Sequence, residues 1–386
     1  MKNYLKQKFF ETFFVEADKF LSCGGRFEVL GNHTDHNHGL CLAATCSLSI
    51  YAAIRRRDDN IVRFYSEGFG YTKLDLTRLS KHKSEIGKSS ALIRGIAYYL
   101  SKNYKVGGFD LYSKSEVPAG AGVSSSAAFE LLIAQSFNML FNDSNIPLMT
   151  LCKAGQFAER DYYGKMCGLL DQIGVAYGGL TYIDFKDIEN PIVEPIKPNL
   201  DNYSFLIVNS GGSHAGLSHL YKAIPDDMYK VANLFGKQYL RDVDYELFEN
   251  NKNKVMNECG QLVYERAEHF YGENQRVNSA KDAIKNNDIE LLIKLINESR
   301  ISSTNLLHNM YVDVIEGSPL EACELIMQAS HNKAGVKING GGFAGSVIAL
   351  VPNSELDNVI TSASKQYGAK NVHLISVRND IPCEIK

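Results

Sequence analysis

Residues 117–130 read "VPAGAGVSSSAAFE". The first half of this stretch is built from small residues, with glycines at 120 and 122, so its backbone can approach another molecule closely. The second half opens "SSAAFELLIAQSFNMLF" (125–141), whose length and composition predict a long apolar helix. A loop that feeds a helix start offers free N–H groups and the positive end of the helix dipole, which together favour an anion. A helix cap needs one hydroxyl, and three serines exceed that need. Serine hydroxyls can also bind a phosphate oxygen or a magnesium ion. The stretch 118–128 therefore reads as a phosphate loop.

Two other glycine loops compete. "IGKSS" (86–90) resembles the end of a Walker loop, but His82 stands where that motif needs its first glycine. "GGGFAG" (340–345) fits the dinucleotide spacing, yet an apolar strand, "SVIALV", follows it where a helix is required. A tight glycine hairpin packed against another loop is the expectation there.

Downstream of the serine loop, "AERDYYGKMCGLLDQIGVAYGG" (158–179) carries Glu159 on a helix. Asp171 comes after the "GKMCG" break, where the chain turns back. Glu159 is placed to help hold a metal while Asp171 faces a second group. Upstream, "GNHTDHNHG" (31–39) packs three histidines and an aspartate into nine residues. His36 and His38 form an HxH pair beside His33, and a metal-dependent hydrolase is the rival reading. Its further ligands would come from His214, His219 or His308, which no spacing singles out, and it leaves "GVSSSAA" and "CGLLDQ" unexplained.

The rest of the chain supplies a frame. Alternating patterns predict strands in 25–31, 42–57, 60–66, 108–115 and 179–185, with helices at 9–20, 88–103 and 147–164. "KDIENPIVEPIKPNLDN" (186–202), with three prolines, predicts a boundary between domains 1–195 and 196–386. In the second half, strands are expected at 203–210, on both sides of the 340–345 loop and at 371–379. Helices are expected at 225–240, 254–271, 279–285, 288–300, 318–331 and 353–367. The fold class is α+β, in two domains with a cleft between them.

The 386 residues carry a net charge of −3, with no basic excess to suit nucleic acid or an anionic membrane. No apolar run approaches the roughly 18 residues that cross a bilayer, and the opening residues lack the apolar core of a leader peptide. Eight scattered cysteines without a CxxC point to free thiols in the cytoplasm. Nothing in the sequence sets the oligomeric state.

Three segments in order, "GRFEVLGNHTDHNHG", "VPAGAGVSSSAAFE" and "NGGGFAGSVIAL", resemble the three motifs of the GHMP kinases. Within that superfamily the first resembles the galactokinases, "CGLLDQ" resembles their catalytic segment, and "SHAGLSHLY" (213–221) weakly resembles a later sugar-site segment. The resemblance implies an N-terminal ribosomal-S5-like α/β domain and a C-terminal ferredoxin-like α+β domain. It implies transfer of the ATP γ-phosphoryl group to the anomeric hydroxyl of galactose or a galactose-like sugar, with Mg2+. Arg26 and Asp171 match the catalytic pair. Gly120, Ala121, Gly122, Val123, Ser124, Ser125 and Ser126 match the phosphate cradle, and Ser126 and Glu159 match the magnesium ligands. His33, Asp35, Gly168 and Tyr221 match sugar contacts. Asn32 stands where the family carries a glutamate that contacts the sugar's C6 hydroxyl, and His36 replaces a tyrosine. A neutral asparagine at that end raises galacturonate as an alternative substrate. A non-catalytic sugar sensor is disfavoured, since the serine loop is complete and both Arg26 and Asp171 are present.

Overall fold

The computed structural model describes residues 1–117, 122–211, 216–311 and 318–385. Helix α1 (Lys2–Phe13) is followed by the strands β1 (Lys19–Leu30), β2 (Leu40–Arg56), β3 (Ile61–Ser66) and β4 (Gly70–Asp75). Then come α2 (Ser89–Ser101), β5 (Phe109–Ser115), α3 (Ser125–Phe141) and α4 (Leu148–Phe157). Helix α4 runs on into a π-helical turn, Ala158–Tyr163, before α5 (Leu170–Ala176), β6 (Leu180–Asp184) and β7 (Ile192–Ile196). The second half holds β8 (Tyr203–Asn209), α6 (Ser218–Leu234), α7 (Tyr245–Asn250), α8 (Lys252–Cys259), α9 (Gln261–Lys285) and α10 (Ile289–Ser302). It ends with α11 (Pro319–Ala329), β9 (Gly335–Ile338), β10 (Ser346–Pro352), α12 (Leu356–Tyr367), β11 (Val372–Ile375) and β12 (Cys383–Glu384).

Two sheets organise these elements. The first has the order β12-β1-β2-β5-β3-β4, with β6 and β7 continuing from the start of β2. Strand β2 is long enough to pair twice along one edge, through Leu40–Ala44 with β6 and through Ile50–Arg56 with β5. The second sheet, β11-β8-β10-β9, is antiparallel throughout. Both carry helices on a face, which gives the α+β class expected. Strand β12 brings the C-terminal end of the chain back to β1.

Helix α3 is apolar almost all round and is enclosed from Ala127 to Leu140, except for Phe129, as a central helix must be. It lies in a core shared by β1, β2, β5, α2 and α5. The ring of Phe27 of β1 lies 4.7 Å from that of Phe205 of β8, tilted by 51°, and joins the two sheets through apolar contact.

Several expectations need correction. The first helix spans Lys2–Phe13, not 9–20, because Phe14 adopts a left-handed conformation (φ 59°) that closes it. The expected helices 254–271 and 279–285 are parts of α8 and one continuous α9. The gap expected between them, 272–278, opens with Gly272, which α9 carries inside it. The real break is Gly260 (φ 99°). Helix α6 starts before the predicted 225 and carries Pro225 inside it. Strands β4 and β7 are exposed edge hairpins, too polar to read as strands. Among the described residues no helix is long and apolar enough to cross a membrane. Of the candidate residues, Gly120, Ala121 and His214 lie outside the described residues.

Candidate active site

The pairing of β1 with β2 is irregular between Gly24 and Arg26, where residues 46–48 of β2 stand opposite Gly25 alone. A Cβ on Gly25 would sit 2.4 Å from the Val123 carbonyl, which instead accepts the Arg26 amide at 3.0 Å. The missing side chain at Gly25 lets the serine loop approach β1 directly beside Arg26. Arg26 Nε donates to Asp171 Oδ1 at 2.7 Å, and its Nη1 donates to the Gly122 carbonyl at 2.8 Å. Ser124, left-handed at φ 53°, does not cap α3; its hydroxyl donates to Asp171 Oδ2 at 2.6 Å. Both Asp171 oxygens are thus engaged. Burial pushes this carboxyl upward, but Arg26, Lys165 and the Ser124 hydroxyl outweigh burial and hold it below its ordinary value.

A second cluster lies beside the first. The π-helical turn re-aims Glu159 inward, where it is 1% exposed. Its Oε1 accepts from Ser126 Oγ at 3.1 Å and from Lys165 Nζ at 2.7 Å, and its Oε2 accepts from Gln172 Nε2 at 3.3 Å. Gln172 also donates to Glu130, whose carboxyl is pushed well up by burial and by the Glu159 charge. One carboxylate and one hydroxyl are oxygen donors suited to a hard cation. The Lys165 ammonium on Glu159 shows that this seat takes positive charge.

At the far end of the cleft Asp35 lies against Gly168, so close that a Cβ there would fall 1.7 Å from its Oδ2. Its Oδ1 accepts the His36 amide at 2.9 Å. Burial, then the charges of Asp171 and Glu28, raise the Asp35 carboxyl to about 7. His33 Nε2 donates to the Gly341 carbonyl at 2.8 Å, and Tyr221 donates its hydroxyl to Gly342 at 2.7 Å. The histidines do not converge on a metal-like point. His36 Nε2 faces His33 Nδ1 at 3.4 Å, His36 Nδ1 faces Asn37 Nδ2 at 3.1 Å, and His38 stacks on Tyr239 at 3.7 Å. Asn37 Oδ1 in turn accepts the Leu240 amide at 3.0 Å. His219 and His308 bond elsewhere, to Gly216 and Glu265.

Asn32, the variant residue at this end, is fully buried. Its Nδ2 donates to Glu28 at 3.1 Å and to the Gly340 carbonyl at 2.7 Å, and its Oδ1 accepts from Asn309 at 2.8 Å. These bonds tie the end of β1 to the glycine hairpin.

The model for the GHMP kinases N terminal domain matches residues 91–179, and that for the galactokinase galactose-binding signature matches residues 7–56. A galactokinase of Actinobacillus pleuropneumoniae serotype 5b is 30% identical over 94% of this chain and 94% of its own. The chain belongs to the galactokinase family. A galactokinase of Glaesserella parasuis serovar 5 is 29% identical over 97% of both chains. The crystal structure of Lactococcus lactis galactokinase complexed with galactose superposes with a TM-score of 0.85, at 24% identity and full coverage of both chains. The two-sheet fold is the one shared by these kinases.

The family motifs account for Arg26, Ser124, Ser126, Glu159 and Asp171, which the fold brings into one cleft. They contain Gln172 and Glu130 without a role read for either, and they do not mark Lys165. Gln172 could have been found, since it closes the "CGLLDQ" segment directly after Asp171. Lys165 has no motif to betray it. Asn309 and Asn339 tie the glycine hairpin to β1 and to Gly122; Asn339 opens the third motif, whereas Asn309 lies in a segment with no pattern of its own.

Proposed function

We propose that this chain transfers the γ-phosphoryl group of ATP to the C1 hydroxyl of galactose, giving galactose 1-phosphate and ADP. The observation that carries the reading is Asp171, held ionised by Arg26 between the serine loop and the galactose-binding signature. In the reaction the bond from the γ-phosphorus to the β–γ bridging oxygen breaks, and its electron pair leaves with ADP. A bond from phosphorus to the sugar O1 forms, and the O1 proton leaves on the Asp171 side. Asp171 orients or accepts that proton. Arg26 keeps Asp171 charged and offsets charge that develops beside it. Such a transfer is mostly a matter of positioning and charge.

Asp35 is assigned to the sugar, because a carboxylate can accept hydrogen bonds from two adjacent hydroxyls and so reads their stereochemistry. His33, Gly168 and Tyr221 shape the same end. Residues 120–126 are assigned to the ATP phosphates at the start of α3. Ser126 and Glu159 would hold Mg2+, which when bound offsets charge on the phosphate oxygens. All eight cysteines are free thiols, and we place the chain in the cytoplasm. Galacturonate is the alternative that the uncharged Asn32 suggests, and galactose is favoured because the galactose-binding signature matches residues 7–56.

An ADP-release assay with Mg·ATP tests the reading. Galactose, galacturonate, N-acetylgalactosamine, arabinose and glucose are compared at matched concentrations. Galactose is expected to be turned over fastest. ADP release with galactose no faster than in a blank without sugar overturns the proposal.

A further inference from the structure

Lys165 sits where a cation is needed and no motif asks for a lysine. Its Nζ lies 2.7 Å from Glu159 Oε1, the oxygen that also accepts the Ser126 hydroxyl. Glu159 is buried, and a bare carboxylate there would be costly without a counter-charge. The lysine side chain is itself 54% exposed, so it reaches this oxygen from the open side of the cleft. The loop that carries it is held in place. Gly164 is left-handed at φ 92°, and the Gly164 and Lys165 amides both donate to the Glu159 carbonyl at 3.0 Å. The Lys165 charge acts on Asp171 on one side and on Tyr221 from the C-terminal half on the other. An ammonium on the carboxylate assigned to the metal, whose charge also reaches Asp171 and Tyr221, is placed beside the groups assigned above to the phosphoryl transfer.

We propose that Lys165 binds the transferring phosphoryl group, and that before nucleotide arrives it holds Glu159 in place of the metal ion. The inference rests on the kinase reading above. Once the metal ion shares Glu159, the ammonium is free to turn on its four-carbon stem toward the non-bridging phosphate oxygens. It neither gives nor takes a proton there and adds only charge, as cationic clamps on phosphoryl groups do. Tenancy of one seat by two cations has a measurable signature. Removing the lysine should strengthen metal binding and weaken catalysis together, whereas a plain surface ion pair would change neither.

The variants Lys165→Met and Lys165→Gln remove the charge, and Lys165→Arg keeps it. Mn2+ is titrated into the nucleotide-free protein, with free Mn2+ followed by electron paramagnetic resonance. ADP release is then measured at saturating Mg2+, ATP and galactose. In the Met and Gln variants the Mn2+ Kd should fall about threefold or more, because a competitor has left. Their kcat should fall about tenfold or more, with the Arg variant retaining more activity than either. An unchanged or weaker Mn2+ affinity in both uncharged variants, or a kcat within about twofold of the wild type, overturns the proposal. If the wild-type chain releases no ADP with galactose, the kinase reading is what fails. The Mn2+ comparison, which needs no sugar, still decides whether Lys165 holds the metal seat.

Discussion

Asp171 has to remain ionised in an enclosed cleft, and the groups that keep it so are Arg26, Lys165 and Ser124. Asp171→Asn keeps the shape and removes the charge. Its kcat should fall by about a thousandfold or more while ATP binding, measured by calorimetry, stays close to wild type. Asp35 behaves in the opposite way, because burial and two neighbouring carboxylates raise it to about 7. In the role proposed for it, its ionised form accepts hydrogen bonds from sugar hydroxyls. Below pH 7 the acid form gains ground, so kcat/KM for galactose should fall as pH drops through about 7, while the KM for ATP holds. A profile flat from pH 8 to about 5.5 would contradict this role. Arg26, Ser126, Glu159 and Asp171 were legible in the sequence because residue type and motif order carry their chemistry. The orientation of Asn32 was not. Its partners Asn309 and Gly340 are about 280 and 310 positions away, and nothing local records them. The lesson is physical: a motif marks where a side chain starts, and long-range partners decide where it points.

At the scale of elements, the strands that alternate cleanly were legible, and so was α3. Helix α9 was divided wrongly because its polar middle looks like a linker, although the buried Val277 and Ala280 keep it packed. The exposed edge strands β4 and β7 gave no apolar pattern to read. The segment between the π-helical turn and α5 makes a prediction of its own. Gly168 is a contact surface for Asp35, and Gly168→Ala puts a methyl group into the Asp35 carboxylate. The carboxylate must then move by about an ångström. The KM for galactose should rise roughly ten- to a hundredfold, with little change in the KM for ATP. Equal changes in both constants would show that the whole α5 segment had shifted instead.

Across the whole molecule, polar groups enclosed between the two sheets do much of the joining. Glu28 of β1 accepts from Lys337 Nζ of β9 at 2.7 Å, and both side chains are buried. Asn339 accepts the Glu28 amide and donates to Gly122, while Glu273 of α9 accepts the Gly31 and Asn32 amides. Breaking such a pair from one side strands a charge. Lys337→Met should therefore cost about 3–5 kcal/mol of stability in urea unfolding. The double variant Glu28→Gln, Lys337→Met should regain part of that loss, and a single variant as stable as wild type would remove the ion pair from the joint.

The histidine-rich loop has a further consequence. From the Leu240 amide to the Gly341 carbonyl runs a line of hydrogen bonds through Asn37, His36 and His33. A group that can only donate closes one end, and a group that can only accept closes the other. Every proton between them therefore has one address. Asn37 must turn its nitrogen to His36, and each imidazole is fixed in the neutral form protonated at Nε2. The Nδ1 electron pair of each ring is already spoken for by its neighbour. Two of the three rings that look like metal ligands on paper, His33 and His36, have no lone pair left to lend.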